Sequence, residues 1–402
     1  MPDPLRIAQL APPSLSVPPK RYGRTELVVW LLTEELVRRG HEVTLFASGD
    51  SSTSARLVRT TDRALWTNGR GQDPILTWAK AIDQVYAEAD RFDVIHNHLG
   101  PLLFPTARRV PELPALSTLH GRLDLPGFAE YFSHFRGMPL VSISNAQRRP
   151  IAEGNWLATV YHGVDTEAMA YHSTHQGYAV FLGRIAPEKG LDSAIRAARA
   201  AGLPIKVGAR APLDQPNNPE AQRDWRYFEE SVKPLLGLPG VEFVGEIGPA
   251  QKADFLGNAA VLLFPIRWPE PFGLVMIEAL SCGTPVVAIG RGSAPEVIEH
   301  GVTGFVVDDE DGLVPALERI HEIDRARCRQ VACERFSVAT MASAYQDAYR
   351  RLLGVREPEE VSAQAPIPLP ARLREDALPR SASSVLPART SSPLSPAPPE
   401  GR

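Results

Sequence analysis

The feature of this sequence that most limits its fold is a pattern of strand, glycine-bearing loop, helix and strand that opens both halves of the chain. The first copy begins with an apolar strand at 6–11, and its loop contains Gly23. The second begins with a strand at 178–182 and continues through a loop at 183–190. This order of elements is typical of a doubly wound parallel sheet. Its repetition predicts two α/β sheets facing a cleft, with ligands bound outside the carboxyl ends of the strands.

The remaining apolar segments have the length and composition of buried strands and extend the same two sheets. They lie at 41–47, 93–98, 114–120, 140–145, 158–162, 205–208, 241–244, 261–265, 286–289 and 304–307. Helices are predicted over 27–39, 191–201, 313–323 and 336–353. The predicted parts are an N-terminal Rossmann-like domain (1–165), a C-terminal Rossmann-like domain (166–335), a final helix (336–354) and a tail (355–402). We expect the tail to be disordered, because it is rich in Pro and Ser, has few aliphatic residues and has no aromatic ones.

Composition excludes several classes of protein. With 402 residues, 44% hydrophobic and 22% charged, the chain has a globular profile with room for two domains. Its net charge of -4 argues against a nucleic-acid-binding protein. No apolar run approaches the roughly 20 residues of a membrane span, and the N-terminus lacks the regions of a signal peptide. The three cysteines, Cys282, Cys328 and Cys333, have no metal-ligand spacing, so we expect reduced, buried or half-buried thiols in a cytoplasmic protein.

Residues 268–289 contain two carboxylates, Glu270 and Glu278, on either side of a helix start at Gly273. A helix N-terminus presents unpaired N–H groups and a partial positive charge, which suit a phosphate. We expect Glu270 on the loop before the helix and Glu278 about two turns into it. Each acid alone is equally compatible with a surface position. Their place within P-E-P-F-G-x4-E-A-x3-G-x-P-V-V favours a binding site.

Two cations, Arg184 and Lys189, lie five positions apart on the loop after the strand 178–182. A planar guanidinium and a compact ammonium on one loop suit a single diphosphate. A solvated loop is the alternative, but the helix start at Gly273 favours the diphosphate. Gly23, in the first loop, allows the backbone to approach a phosphate closely.

Three histidines follow strands of the first half. His120 ends one strand, at the predicted cleft, so a contact with the substrate and a structural role are about equally favoured. His96 and His98 follow another, and either line the acceptor side or lie on the surface. The remaining ligands of a zinc site are absent. The acids at 309–311 form a D-x-D triplet, but acids at a helix N-terminus explain it without a metal.

Taken together, these stretches resemble glycosyltransferase family 4, of the GT-B architecture. The matching segments are F-L-G-R-I-A-P-E-K-G (181–190), P-E-P-F-G-L-V-M-I-E-A-L-S-C-G-T-P-V-V-A (269–288), A-P-E-V-I-E-H-G-V-T-G-F-V-V (294–307), L-V-R-R-G-H-E-V-T-L-F-A-S-G-D (36–50) and H-G-V-D (162–165). The resemblance covers about residues 5–353. It implies a GT-B fold, in which two Rossmann-like doubly wound domains face a central cleft and a C-terminal helix crosses back onto the first domain.

The resemblance also implies a retaining transfer, without metal or other cofactor, from a UDP- or GDP-linked sugar to a hydroxyl acceptor that the sequence does not identify. By this resemblance the donor-binding residues are Gly23, Glu246, Phe272, Gly273, Leu274, Val275 and Glu278. Among them, Glu278 would bind the ribose, the backbone at 272–275 would hold sugar and phosphate, and the base would lie near 245–247. The implied catalytic residues are His120, beside the reacting carbon, Arg184 and Lys189, on the diphosphate, and Glu270, on the donor sugar.

The first loop departs from the family pattern. Many relatives carry two adjacent glycines, whereas Gly23 is followed here by Arg24. The arginine either blocks the approach of the backbone to the phosphate or supplies another cation. Two other functions therefore stay open: a GT-B enzyme such as an epimerase, which needs no acceptor, and a non-catalytic protein that binds sugar nucleotides.

Overall fold

The structure of the protein, a computed structural model, describes residues 4–20, 23–67, 73–212 and 218–354. All of them belong to one compact unit. They form two parallel sheets, one of seven strands and one of six. We call the part of the chain that carries the first sheet the first domain, and the part that carries the second sheet the second domain. The predicted disordered tail at 355–402 lies outside the described residues.

The first sheet has the strand order β3-β2-β1-β4-β5-β6-β7. Its strands are β1 Arg6–Leu10, β2 Glu42–Ser48, β3 Arg56–Thr61, β4 Val94–Asn97, β5 Ala115–Thr118, β6 Leu140–Ser142 and β7 Trp156–Thr159. The α-helices of this half are α1 Arg24–Arg38, α2 Pro74–Ala87, α3 Phe104–Ala107, α4 Phe128–His134 and α5 Asn145–Arg148. Short 3₁₀ segments lie at Leu65–Thr67, Ala89–Arg91, Gly100–Leu103 and Arg149–Ile151. Because β1 pairs with both β2 and β4, the strand order reverses there and opens a crevice beyond Leu10 and Asn97.

The second sheet has the order β10-β9-β8-β11-β12-β13. Its strands are β8 Ala179–Leu182, β9 Ile205–Gly208, β10 Val241–Gly245, β11 Val261–Phe264, β12 Val286–Ile289 and β13 Gly304–Val307. The later α-helices are α6 Leu191–Ala200, α7 Pro219–Tyr227, α8 Lys233–Leu236, α9 Pro249–Gly257, α10 Leu274–Ser281, α11 Ala294–Val297, α12 Leu313–Glu318, α13 Arg325–Phe336 and α14 Val338–Leu352. Pro187–Lys189 and Ile320–Glu322 are 3₁₀ segments, and Phe228–Val232 is a π segment. The order reverses between β8 and β11, so the second crevice lies beyond Leu182 and Phe264.

The central strands are buried on both faces. Every residue of β11 and of β12 is buried, since helices cover both sides of the sheet. An unbroken apolar run is therefore the expected sequence of such a strand. All six predicted strands of the second half are found within one residue of their predicted ends.

The last helix returns to the first domain, as predicted. Arg39, at the end of α1, donates hydrogen bonds to Gln346 and, at 2.7 Å, to the carbonyl oxygen of Ala339. The predicted helix over 336–353 was too long at its start, because Ser337 separates α13 from α14 and its side chain accepts from the N–H of Thr340. The chain passes from one domain to the other twice, once near Val164 and once near Ser337. These two residues pair with each other in an isolated parallel β-bridge.

The first half holds most of the other differences from the sequence prediction. Strand β3 was not predicted, because its sequence R-L-V-R-T-T is largely polar and only one of its residues is buried. Strand β7 begins at Trp156 and not at 158, since its pairing with β6 starts there. Helix α1 begins at Arg24 and not at 27, because Gly23 occupies its N-cap. In the second half, α12 ends at Glu318 and a 3₁₀ segment completes the predicted helix.

The cysteines are free thiols, as predicted: Cys282 and Cys328 are buried and Cys333 is half-buried. Among the residues that the structure describes, none of the helices has the length and apolar character needed to cross a membrane.

Candidate active site

A cavity of about 470 Å³ lies between the carboxyl edges of the two sheets. The first domain contributes Gly23, Arg24 and Leu27, and the rest of the wall comes from the second domain. The predicted site residues that line it are Gly23, Arg184, Glu246, Leu274, Val275 and Glu278. A cavity of this size, at the point where the strand order reverses, is where a doubly wound fold binds a ligand.

Helix α10 begins at the wall of this cavity. Gly273 is its N-cap with a φ of 79°, a left-handed conformation that glycine adopts without strain. A Cβ at this position would lie 2.8 Å from the side chain of Met276 and 3.1 Å from that of Phe264, so the turn has no room for one. The next two residues, Leu274 and Val275, line the cavity, and the first N–H groups of a helix have no partner within it. The site therefore includes the predicted helix start, and the binding of an anion there stays a prediction.

Glu278 is buried in the second turn of α10, with 7% of its surface exposed. The prediction of about two turns was too deep, because the helix starts only at Leu274. The side chain of Lys252, on α9, donates to Glu278 Oε1 at 2.7 Å. Both residues line the cavity, so the surface alternative for Glu278 is wrong.

Glu270 is the centre of a buried charge cluster and is 4% exposed. Lys189 Nζ donates to its Oε2, and so does the indole N–H of Trp268 at 2.6 Å. On the other oxygen, Arg24 Nη1 lies 3.7 Å from Oε1. Two cations from different domains thus share one carboxylate, and the trio carries a net positive charge. Here too the surface alternative is wrong.

The cluster shifts the pKa of its carboxylate, Glu270, and that of its ammonium group, Lys189. Burial alone would raise the pKa of Glu270, but Lys189 and Arg24 outweigh burial and hold the pKa below 4.5. Burial lowers the pKa of Lys189, and Arg24 adds to this effect, although the carboxylate of Glu270 opposes it. A carboxylate that two cations share is therefore stabilised as an anion.

The indole of Trp268 links the cluster to the first domain. Lys189 Nζ lies 4.8 Å from the centroid of its ring, and the guanidinium carbon of Arg122 lies 5.2 Å from it. These distances are those of cation–π contacts. Sequence reasoning missed Trp268, although its place two residues before Glu270 was a usable signal.

The backbone of Glu270 is held by the segment after β12. Gly292 has a φ of 61°, and a Cβ there would lie 2.3 Å from both the backbone N and O of Glu270. We therefore expect Gly292→Ala to displace the loop of Glu270 and to destabilise the protein by roughly 1–3 kcal/mol more than the strained backbone alone would, the usual cost of forcing extra atoms into a packed region. Urea unfolding measures this. Gly202→Ala is the matched control, since its φ is 71° but a Cβ there would meet nothing within 4 Å. Equal losses in the two variants would show that the contact with Glu270 is unimportant.

Arg184 lines the cavity but binds a different set of acids from Lys189. Its guanidinium lies 2.5 Å from Glu188 Oε1, 3.0 Å from Glu220 Oε1 and 3.5 Å from Asp224 Oδ2. The structure therefore does not bring Arg184 and Lys189 onto a common partner. A shared diphosphate remains a prediction for these two residues.

His120 lies in a stack of aromatic rings that reaches the second domain. Its ring is 5.3 Å from that of His162 at an angle of 18°, and the ring of His162 is 4.9 Å from that of Phe272. Burial lowers the pKa of His120 to about 4, and it lowers the pKa of His162 well below its ordinary value. Both imidazoles are therefore neutral at physiological pH, and the Nδ1 atom of each is buried without a hydrogen-bond partner.

His96 and His98 are buried, so the surface alternative for them is wrong. His98 Nδ1 lies 2.9 Å from His120 Nε2, and His96 bonds to Thr118 and Tyr349. Within the described ranges, no group of three or more His, Cys, Asp and Glu is arranged to hold a metal ion.

The acids at 309–311 form a turn before α12. The carboxylate of Asp309 accepts from the N–H groups of Asp311 at 3.0 Å and Gly312 at 3.4 Å. The N-cap of α12 is Gly312 and its first turn contains no acid, so the acids form the turn before the helix and not its N-terminus.

Comparison with known proteins gives a consistent family. The model described as Glycosyltransferase Family 4 matches residues 25–168, and the model described as Glycosyl transferases group 1 matches residues 170–333. A phosphatidyl-myo-inositol mannosyltransferase of Mycolicibacterium smegmatis is 29% identical over 90% of this chain and 97% of its own length.

Two solved structures illustrate the shared fold. Sucrose-phosphate synthase from Thermosynechococcus elongatus gives a TM-score of 0.69 at 21% identity, over 88% of this chain and all of the other. Anabaena HepE in complex with UDP-glucose gives 0.63 at 18% identity, over 86% of this chain and 98% of the other.

The two parallel sheets, the cleft between them and the returning helix define a GT-B fold, which confirms the predicted fold class. The chain belongs to glycosyltransferase family 4, and the protein is a glycosyltransferase.

Proposed function

We propose that this glycosyltransferase moves a sugar from a nucleoside-diphosphate sugar to an acceptor hydroxyl, with retention of configuration and without a metal ion. The observation that carries the proposal is the cluster of Arg24, Lys189 and Glu270, in which cations from both domains lie beside one buried carboxylate close to the start of α10. The arrangement suits a diphosphate, because unpaired backbone N–H groups and cations both stabilise phosphate oxygens. The complex of Anabaena HepE with UDP-glucose supports a donor of this class.

In this proposal Glu270 holds the donor sugar and does not attack it. Its Oε2 already accepts from Lys189 and Trp268, and its pKa is held low. A carboxylate in this state is a weak base and a weak nucleophile. Glu278, deeper along the same helix and facing the cavity, is placed to accept hydrogen bonds from ribose hydroxyls.

Charge develops on the diphosphate as the sugar departs. Lys189, Arg184 and the N-terminus of α10 would stabilise that charge from the second domain, and Arg24 would do so from the first. The acceptor hydroxyl then attacks from the face that the diphosphate leaves, and a departing phosphate oxygen takes its proton. His120 lies beside the reacting carbon. Exclusion of water between the two domains prevents hydrolysis of the donor.

Of the functions left open by the sequence, transfer is favoured over epimerisation and over binding without catalysis. The family models and the named relatives are glycosyltransferases. Arg24 and the long tail were the features that supported a non-catalytic protein, and the contact of Arg24 with Glu270 gives that residue a place in the charge cluster.

A panel of nucleotide sugars tests the proposal directly. We expect UDP- or GDP-linked hexoses to raise the Tm by mass action, and the donor that does so to release its nucleotide diphosphate only with an acceptor present. The anomeric configuration of the product should match that of the donor, and EDTA should leave the rate unchanged. A sugar isomer formed without any acceptor would support the epimerase, and no stabilisation by any nucleotide sugar would refute the donor class.

Two variants distinguish the proposed binding of ribose by Glu278 from the ion pair that Glu278 forms with Lys252. Both Glu278→Ala and Lys252→Met break the pair, but only the first removes the carboxylate from the cavity. We expect the KM for the donor to rise about 10- to 100-fold in Glu278→Ala, the equivalent of one or two hydrogen bonds to a charged group. A much smaller rise is expected in Lys252→Met. Equal rises in both would assign the effect to the ion pair and not to the ribose.

A further inference from the structure

Gln9 is a polar residue in the middle of a buried strand. It lies on β1, an interior strand of the first sheet, and none of its surface is exposed. Its amide oxygen faces His98 Nε2 at 2.8 Å, and its amide nitrogen donates to the hydroxyl of Tyr349 at 3.2 Å. A buried amide in an apolar strand costs free energy unless both ends are bonded, and here the oxygen is bonded to the ring of His98 and the nitrogen to the hydroxyl of Tyr349.

The oxygen end of the amide determines the proton positions of two histidines. Because an amide oxygen only accepts, the neutral ring of His98 must carry its proton on Nε2 and leave Nδ1 as an acceptor. His98 Nδ1 lies 2.9 Å from His120 Nε2, so His120 must donate from Nε2. The remaining nitrogen of His120, Nδ1, then has no proton. It is the atom that is buried without a partner.

The nitrogen end of the amide starts a second chain of hydrogen bonds, in which each group accepts from the one before it and donates to the next. Tyr349 accepts from Gln9 and donates to His96 Nδ1 at 2.7 Å. His96 then donates from Nε2 to Thr118 Oγ1 at 2.7 Å, and Thr118 donates to the hydroxyl of Tyr345 at 3.1 Å. Both tyrosines lie on α14, so the returning helix supplies two of the hydroxyls in this chain. Turning the amide over would reverse every bond in both chains.

We propose that Gln9 is a positioning residue, which fixes through His98 the tautomer of His120 that bears its proton on Nε2 and presents a bare Nδ1 as a hydrogen-bond acceptor. The ligand for this atom is a hydroxyl group that donates. Nδ1 of His162, in the ring stacked on His120, is the second buried acceptor or donor without a partner at this place. An unpaired buried nitrogen costs free energy that a bound hydroxyl recovers.

The consequence for catalysis rests on the proposed function. A donor sugar carries hydroxyls on several carbons, and the acceptor carries the one that attacks. Only a hydroxyl that points its proton at His120 Nδ1 is accommodated in this tautomer. With the opposite tautomer, an N–H group would face the same hydroxyl and would select the opposite orientation of its O–H bond. Gln9 thereby sets the orientation of a substrate group that it does not touch.

The tautomer is measured without reference to activity. In the full-length protein labelled with ¹⁵N-histidine, nitrogen chemical shifts distinguish a protonated ring nitrogen from a bare one, and a His120→Gln variant assigns the signal. We expect His120 protonated on Nε2 in the wild type, and a mixture of tautomers in Gln9→Leu. Tyr345→Phe is the matched control, because it ends the second chain without touching Gln9, and we expect its His120 tautomer unchanged. A proton on Nδ1 in the wild type, or an unchanged tautomer in Gln9→Leu, would overturn the proposal.

Kinetics supply the second readout. In Gln9→Leu we expect kcat to fall about 10- to 100-fold, the effect of misorienting a bound group, with little change in the donor KM. In Gln9→Leu the hydroxyl of Tyr349 keeps its hydrogen bond to His96, and His98 Nε2 is the group that loses its partner. The Tm and circular dichroism spectrum of the variant therefore separate a folding defect from the kcat defect. A normal kcat in a Gln9→Leu protein whose tautomer has changed would also overturn the positioning role. If the wild type turned over no nucleotide sugar, the proposed function would fail, whereas the ¹⁵N result would still decide the tautomer.

Discussion

Replacing Glu270 by alanine is expected to lower the free energy of unfolding by about 3 kcal/mol or more and to abolish turnover. Lys189 is 8% exposed, and the removal of one member of a buried ion pair leaves an uncompensated buried charge, which costs roughly 3–5 kcal/mol. Arg24 and Lys189 would then repel each other without the anion between them. Urea unfolding at neutral pH measures the loss. A change below about 1 kcal/mol, the size of a surface ion pair, would contradict the buried cluster.

Glu270→Gln is the matched control, since glutamine keeps the size and an acceptor oxygen but not the charge. Its stability should also depend less on pH. Because the pKa of Glu270 is held below 4.5 in the folded state, its charge stabilises the protein fully above that value. The contribution is lost as the pH falls through the lowered folded-state pKa. Below pH 4.5 the wild type should therefore lose stability more steeply than Glu270→Gln, and parallel curves would show that Glu270 is not the anion of the cluster.

Lys189→Met is expected to lower kcat/KM about 100- to 1,000-fold, the usual effect of removing one group that stabilises charge in the transition state. The loss should appear mainly in kcat, because negative charge on the diphosphate grows as the sugar leaves. Methionine keeps most of the apolar stem of Lys189 and removes the ammonium that lies over the ring of Trp268. The measurement is the steady-state release of nucleotide diphosphate under saturating acceptor.

Lys206→Met is the control for this change. Lys206 also contacts an aromatic ring, that of Tyr178 at 4.5 Å, but its acidic neighbour is Glu242, at 3.5 Å, which lies outside the charge cluster of Glu270. Its substitution should leave turnover near the wild-type rate. If Lys189→Met retained full turnover, Lys189 would have only a structural role, and Arg184 and Arg24 would be the remaining candidates for the diphosphate.

The sequence predicted the second domain better than the first, for a physical reason. Strands such as β11 and β12 are buried on both faces and read as apolar runs. Strand β3 lies at the edge of its sheet, where polar residues are tolerated, and it carries no such signal. The break at Ser337 was also missed, because both α13 and α14 are helical and only the capping side chain marks the boundary.

The site was predictable where it depends on local sequence and unpredictable where it depends on distant pairs. The helix start at Gly273 and the two flanking acids follow from one continuous stretch. The partner of Glu270 in the first domain, Arg24, comes from the other end of the chain, and spacing along the sequence carries no information about that contact. Gln9 gave a usable signal, since a glutamine within R-I-A-Q-L is unexpected in a buried parallel strand. Its partners were not predictable, because Tyr349 lies on the returning helix.

The paired crossings between the domains have a mechanical consequence. Val164 donates from its N–H to the carbonyl oxygen of Phe336 at 2.9 Å and accepts from the N–H of Val338 at 3.2 Å. Gly163 packs closely against the backbone of Ser337, since a Cβ on Gly163 would lie 2.7 Å from the carbonyl oxygen of Ser337. Two independent tethers would let the domains slide as well as twist. Two tethers joined by hydrogen bonds act as one torsional joint, so any opening or closing of the cleft must rotate both peptide segments together about a common axis.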